Sequence, residues 1–75
     1  RCMSVETTLP AIQFYTANML EDTIGRQGIL YSRHGAFCLE TGAYNNAVNI
    51  PKFPNSILLP RETYRHTTRH RFWAE

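Results

Sequence analysis

Ala36–Phe37–Cys38–Leu39–Glu40–Thr41 is the stretch on which the fold turns. In an extended chain successive side chains point to opposite faces, so Cys38 and Glu40 share one face while Phe37, Leu39 and Thr41 share the other. A mainly apolar side set against a more polar one is the pattern of a strand with one face on a core. Gly35 introduces the strand, and from Gly42 onward the pattern is lost.

The same period of two extends outward in both directions. Ala11–Ile12–Gln13–Phe14–Tyr15–Thr16 follows the break at Pro10 and predicts a second strand. Cys2 to Thr8 alternates loosely, with Met3 and Val5 on one face and Ser4 and Glu6 on the other. Ile57–Leu58–Leu59 predicts a strand, Pro60–Arg61 a turn, and Tyr64 to Trp73 a long last strand. Asn18 to Gly28 predicts a surface loop with at most one helical turn, around Met19–Leu20. Ile29–Leu30–Tyr31 is a short apolar run. Gly42 to Ser56 reads as irregular, with Tyr44, Val48, Ile50 and Phe53 pinning it to a core. The expectation is an all-β chain of five short antiparallel strands with little helix, counted as one domain over residues 1–75.

Length and composition limit what such a chain can do. Seventy-five residues allow one domain at most and cannot enclose a large active site unaided. Hydrophobic residues at 43% and charged residues at 19% are ordinary globular values rather than those of a disordered segment. Four Phe, four Tyr and one Trp favour β structure. A net charge of +2 argues for neither nucleic acid nor membrane, and no apolar run approaches the roughly 20 residues of a membrane helix. Cys2 and Cys38 lie in no metal-binding spacing, so two free thiols in a reducing compartment are expected. The loops 18–28 and 42–56 are long for a compact domain of this size. Together with the start at Arg1, they point to a chain cut from something longer that borrows packing partners.

Three groups of residues have chemical potential. Glu40 is a carboxylate inside an apolar strand, where burial without a partner costs several kcal/mol. It is therefore either an exposed strand residue beside a loop or a general base in a cleft. Gln13, flanked by Ile12 and Phe14, is either an outward-facing strand residue or a hydrogen-bonding group for a polyhydroxy ligand, since an amide both donates and accepts. The run from Tyr64 to Arg71 carries Arg65, His66, Arg69, His70 and Arg71. On a strand His66 and His70 would stand about 13 Å apart, too far for one metal ion, and a third ligand is lacking. No metal site is assigned. A nucleic-acid stripe through Arg65, Arg69 and Arg71 is a weaker account than a solvated strand face guarding an edge.

The order of these blocks resembles the aldose 1-epimerase (galactose mutarotase) family. The resemblance is carried by Thr7–Thr8–Leu9–Pro10, by Ile12–Gln13–Phe14–Tyr15–Thr16 with Asn18 and Leu20, and by His34–Gly35–Ala36–Phe37–Cys38–Leu39–Glu40–Thr41. It continues through Ala47–Val48–Asn49, Pro51, Phe53–Pro54, Leu58 and Tyr64–Arg65–His66–Thr67–Thr68, collinear over nearly the whole chain. Members of the family are several times longer, so the chain looks like the C-terminal part of one, with the remainder of the domain upstream of Arg1 as its structural partner. The resemblance implies a large antiparallel β-sandwich with the sugar in a cleft on a concave sheet. It implies a cytoplasmic isomerase that interconverts the α and β anomers of free hexoses without a cofactor. Glu40 stands at the place of the family's general base, and Gln13 at that of a glutamine contacting sugar hydroxyls. The family's acid is a histidine well upstream, as are its other sugar-site residues, and His34, His66 and His70 do not replace them. His34 reads as a loop residue and His66 as a structural residue of the last strand.

A few positions depart from the family pattern. Gly42 replaces a usual Gln, Asn45–Asn46 a common Pro–Asp, and His70 a common aromatic. Arg61 follows Pro60 where Gly is usual, which a type I turn tolerates better than a type II turn. The same residues allow two other readings: a non-catalytic sugar-binding relative, or a small basic β module for nucleic acid.

Overall fold

The structure is a computed structural model describing all 75 residues, Arg1–Glu75. It contains six strands: β1 (Cys2–Thr7), β2 (Ala11–Tyr15), β3 (Thr23–Ile24), β4 (Leu30–Tyr31), β5 (Cys38–Gly42) and β6 (Thr68–Trp73). Helical structure is limited to a 3-10 turn at Ala47–Asn49, since the turn at Arg26–Gly28 has Gln27 in left-handed backbone, φ 57°. The chain is all-β and antiparallel, as its alternation predicts.

The strands form three separate two-stranded ladders, β1–β6, β2–β5 and β3–β4. β1 pairs with β6 from Cys2↔Trp73 to Thr7↔Thr68, bringing the two ends of the chain together. β2 pairs with β5 from Ala11↔Gly42 to Tyr15↔Cys38. Pro10, which has no N–H to give to a ladder, marks the entry to β2.

Hydroxyl groups join the first two ladders. Thr68 Oγ1 lies 3.1 Å from Thr7 Oγ1 and 3.0 Å from Thr41 Oγ1, so one side chain of β6 touches both β1 and β5. The loop ahead of β5 is tied back to the end of β2. The His34 amide donates to the carbonyl of Ala17 at 3.1 Å, His34 Nδ1 donates to the carbonyl of Thr16 at 3.0 Å, and Arg33 Nε donates to the carbonyl of Asn18 at 2.8 Å. These three bonds hold β5 beside β2 before the ladder itself begins.

Four local expectations are corrected. Ile57–Leu58–Leu59 is not a strand, since no neighbouring strand faces its backbone groups. The last strand starts at Thr68 rather than Tyr64, because its partner β1 ends at Thr7 and the chain bends away through Thr8–Pro10. His66 therefore precedes the strand, where its Nδ1 lies 3.2 Å from Thr8 Oγ1. The Met19–Leu20 region makes a single non-helical turn closed by the Leu20 amide on the Ala17 carbonyl.

Packing is sparse. Only Ala17 and Ala47 are buried, at 4% and 8% exposure. Phe14 and Phe37 meet edge to face at 6.3 Å and Tyr44 lies against Phe53 at 4.8 Å, yet Phe14 and Phe37 remain 59% and 58% exposed. Of the residues expected to pin the 42–56 segment, Ile50 and Phe53 are half-buried, while Val48 points to solvent. Both cysteines are free thiols.

Candidate functional site

Gln13 sits in the middle of β2 and Glu40 near the middle of β5, and the register sets them directly opposite each other. Facing residues of an antiparallel pair have Cβ atoms about 4.5–5.5 Å apart and project from the same side of the ladder. The two polar residues that interrupt apolar strands thus form one cross-strand pair. Along β5 the exposed residues Cys38 and Glu40 alternate with the half-buried Leu39 and Thr41, the division that the alternation predicts.

The pair opens onto a depression of about 690 Å³. This lies within the range of about 300–1,000 Å³ typical of small-molecule sites. Besides Gln13 and Glu40 it is lined by Ile12, Thr41, Tyr44, Asn45 and Phe53, among others. Tyr44 and Phe53 give it an aromatic wall, their rings inclined by 32°. Lys52 Nζ lies 5.8 Å from the centre of the Phe53 ring.

The polar groups here are unevenly engaged. Asn45 Nδ2 donates to Gln13 Oε1 at 2.5 Å, and Gln13 Nε2 donates to the carbonyl of Phe14 at 3.3 Å. Glu40 is exposed, and the chain's ion pair, Arg69 with Glu6 at 3.2 Å, lies on the β1–β6 ladder. A carboxylate left open beside an amide can take a proton from a hydroxyl that the amide holds.

The three histidines stand apart from this depression. His34 bonds the end of β2, His66 lies against Thr8 and the Tyr64 ring, and His70 belongs to β6. No three His, Cys, Asp or Glu side chains gather closely enough to share a metal ion. The depression therefore holds a carboxylate and a hydrogen-bonding amide, and none of the three histidines lines it.

Sequence reasoning singled out Gln13 and Glu40 separately but could not see that they face each other, because their register depends on the loop between them. It missed Asn45 as part of the site. The only available signal was its place in an amide-rich turn shortly after β5.

The profile of the family described as Aldose 1-epimerase matches residues 1–71. The chain is 52% identical over 69 residues to the galactose mutarotase of Sus scrofa, a match covering 91% of this chain and 20% of that protein. To the galactose mutarotase of Homo sapiens it is 48% identical over 73 residues, covering 96% and 21%. To the aldose 1-epimerase of Escherichia coli (strain K12) it is 35% identical over 75 residues, covering 97% and 22%. The chain thus spans about a fifth of the length of the curated relatives it matches. Since the profile takes in residues of all three ladders and the facing Gln13 and Glu40, the chain belongs to the aldose 1-epimerase family.

Proposed function

We propose that the full-length protein carrying this chain interconverts the α and β anomers of free hexoses such as galactose or glucose. Glu40 is its general base and Gln13 a sugar contact. The observation that carries this is the cross-strand pairing of Gln13 with Glu40 at the edge of an open depression with an aromatic wall. Membership of the family supplies the reaction class.

The steps balance without an outside reagent. Glu40 takes the proton of the C1 hydroxyl as an acid from outside residues 1–75 protonates the ring oxygen. The bond between C1 and the ring oxygen breaks as the C1 carbonyl forms, and rotation about C1–C2 presents the other face. Closure reverses both proton transfers. Gln13 holds a hydroxyl of the sugar against the carboxylate throughout. The free thiols of Cys2 and Cys38 fit the reducing cytoplasm, where we place the protein.

Glu40→Gln in the full-length protein keeps the shape of the side chain and removes the base. General-base catalysis contributes about 10²–10⁴-fold, so anomer interconversion followed by polarimetry should slow by that factor. A near-normal rate with a folded variant would refute the assignment of Glu40. A wild-type protein that binds hexose without interconverting it would reduce the function to sugar binding.

A further inference from the structure

We propose that Asn45 is a positioning residue that fixes which end of the Gln13 amide faces the sugar; this rests on Gln13 being a sugar contact. A glutamine amide has an oxygen and a nitrogen of nearly equal size at its two ends, and an isolated one can present either. Here Asn45 Nδ2 donates to Gln13 Oε1. With Asn45 Nδ2 presented as it is here, turning the Gln13 amide over alone would bring its Nε2 against Asn45 Nδ2, two donors facing each other. The Nε2 end is therefore the one left for a ligand, with one N–H directed at the Phe14 carbonyl and the other free.

The turn that carries Asn45 is braced through its backbone and through Asn46. The Ala47 amide donates to the Tyr44 carbonyl at 3.1 Å, closing a turn with Asn45 and Asn46 at its centre. Asn46 takes the left-handed backbone, φ 59°, that a type II turn requires at its third position and that Asn tolerates better than most residues. Asn49 Nδ2 donates to Asn46 Oδ1 at 2.6 Å, bracing the turn from behind. The loop thus delivers an amide donor to a strand residue across the mouth of the depression.

The consequence is directional. A sugar hydroxyl seated between Gln13 and Glu40 accepts from Gln13 Nε2 and so keeps its own proton pointed at the carboxylate. That is the direction in which Glu40 removes it. With the amide reversed, Gln13 would accept the hydroxyl proton and compete with the base.

The test is a double-mutant cycle on the full-length enzyme, with KM and kcat for anomer interconversion measured for Asn45→Ala, Gln13→Ala and the pair. Losing one hydrogen bond of this kind corresponds to about 3- to 10-fold in binding. Each single variant should raise KM by that factor, and the pair should be no worse than Gln13→Ala alone. Asn45→Asp is equal in size but cannot donate to Gln13 Oε1, and should raise KM like Asn45→Ala. A penalty for Asn45→Ala that persists in full in the Gln13→Ala background would overturn the proposal, as would unchanged KM for either Asn45 variant. Unchanged KM for Gln13→Ala would overturn it together with the sugar contact, while leaving the separate Glu40→Gln result to decide the reaction.

Discussion

Arg61 shows what a single position asks of its backbone. The Glu62 amide bonds the Leu59 carbonyl at 3.1 Å, so Pro60 and Arg61 are the central residues of a turn. Arg61 has φ +72°, which makes the turn type II, although a type I turn would tolerate an arginine there better. A left-handed conformation costs an L-residue roughly 1–2 kcal/mol, a penalty that glycine escapes. Part of that gain is returned because glycine also loosens the unfolded chain. Arg61→Gly should therefore stabilise the full-length protein by about 1 kcal/mol, read as a higher urea midpoint at unchanged slope. A midpoint that stays or falls would mean that the Arg61 side chain makes compensating contacts outside residues 1–75.

At the scale of elements, strand length here is decided by partners as much as by propensity. Tyr64–Arg65–His66–Thr67 has the residue types of a strand, yet it joins no ladder, only Thr67 bonding Thr8 through its backbone, because β1 ends opposite Thr68. Ile57–Leu58–Leu59 has the apolar run of a strand but no partner among residues 1–75. β3 and β4 are each two residues long, too short for any alternation to register. Legible from sequence were β1, β2 and β5, where alternation runs long enough to show a face. Gln13 and Glu40 were legible as misfits in such strands, whereas their opposition and the reach of Asn45 are properties of register and turn geometry. The link between ladders was equally hidden, since Thr7, Thr41 and Thr68 look like ordinary strand threonines. Thr68→Val keeps the β-branched shape and removes both hydroxyl contacts of Thr68. Each such bond is worth about 0.5–1.5 kcal/mol net, and exposure places this pair at the lower end, so a loss of about 1 kcal/mol is expected. Adding Thr41→Val should cost little more, because its hydroxyl partner is already gone. Fully additive losses in denaturant unfolding would show that the hydroxyl chain does not couple the ladders.

The whole molecule is an open array rather than a globule, and magnitudes decide this. Its radius of gyration is 16.6 Å, where a compact domain of this length would have about 11 Å. It exposes 6892 Å², against roughly 4,700 Å² for a folded monomer of its mass. It makes 26 backbone hydrogen bonds, where about 50 would be usual. Two-stranded ladders are marginal in water without a third strand or a packed face. The side of β2–β5 opposite Glu40 bears Ile12 and Phe14, still exposed by 43% and 59% despite the Phe37 ring against Phe14. Two buried alanines cannot offset the conformational entropy of ordering the chain, about 1–2 kcal/mol per residue for the backbone alone. A peptide of residues 1–75 should therefore be unfolded in dilute buffer. Small-angle scattering should give a radius of gyration near 27 Å, the expanded-chain value, and near-ultraviolet dichroism should be featureless. It should also fail to interconvert anomers above the buffer rate, since Glu40 has neither an acid partner nor a fixed strand to stand on. A cooperative melting transition with a radius of gyration near 11 Å would show instead that the chain finds a core of its own. The covering of the β2–β5 face would then have to come from a rearrangement within these residues.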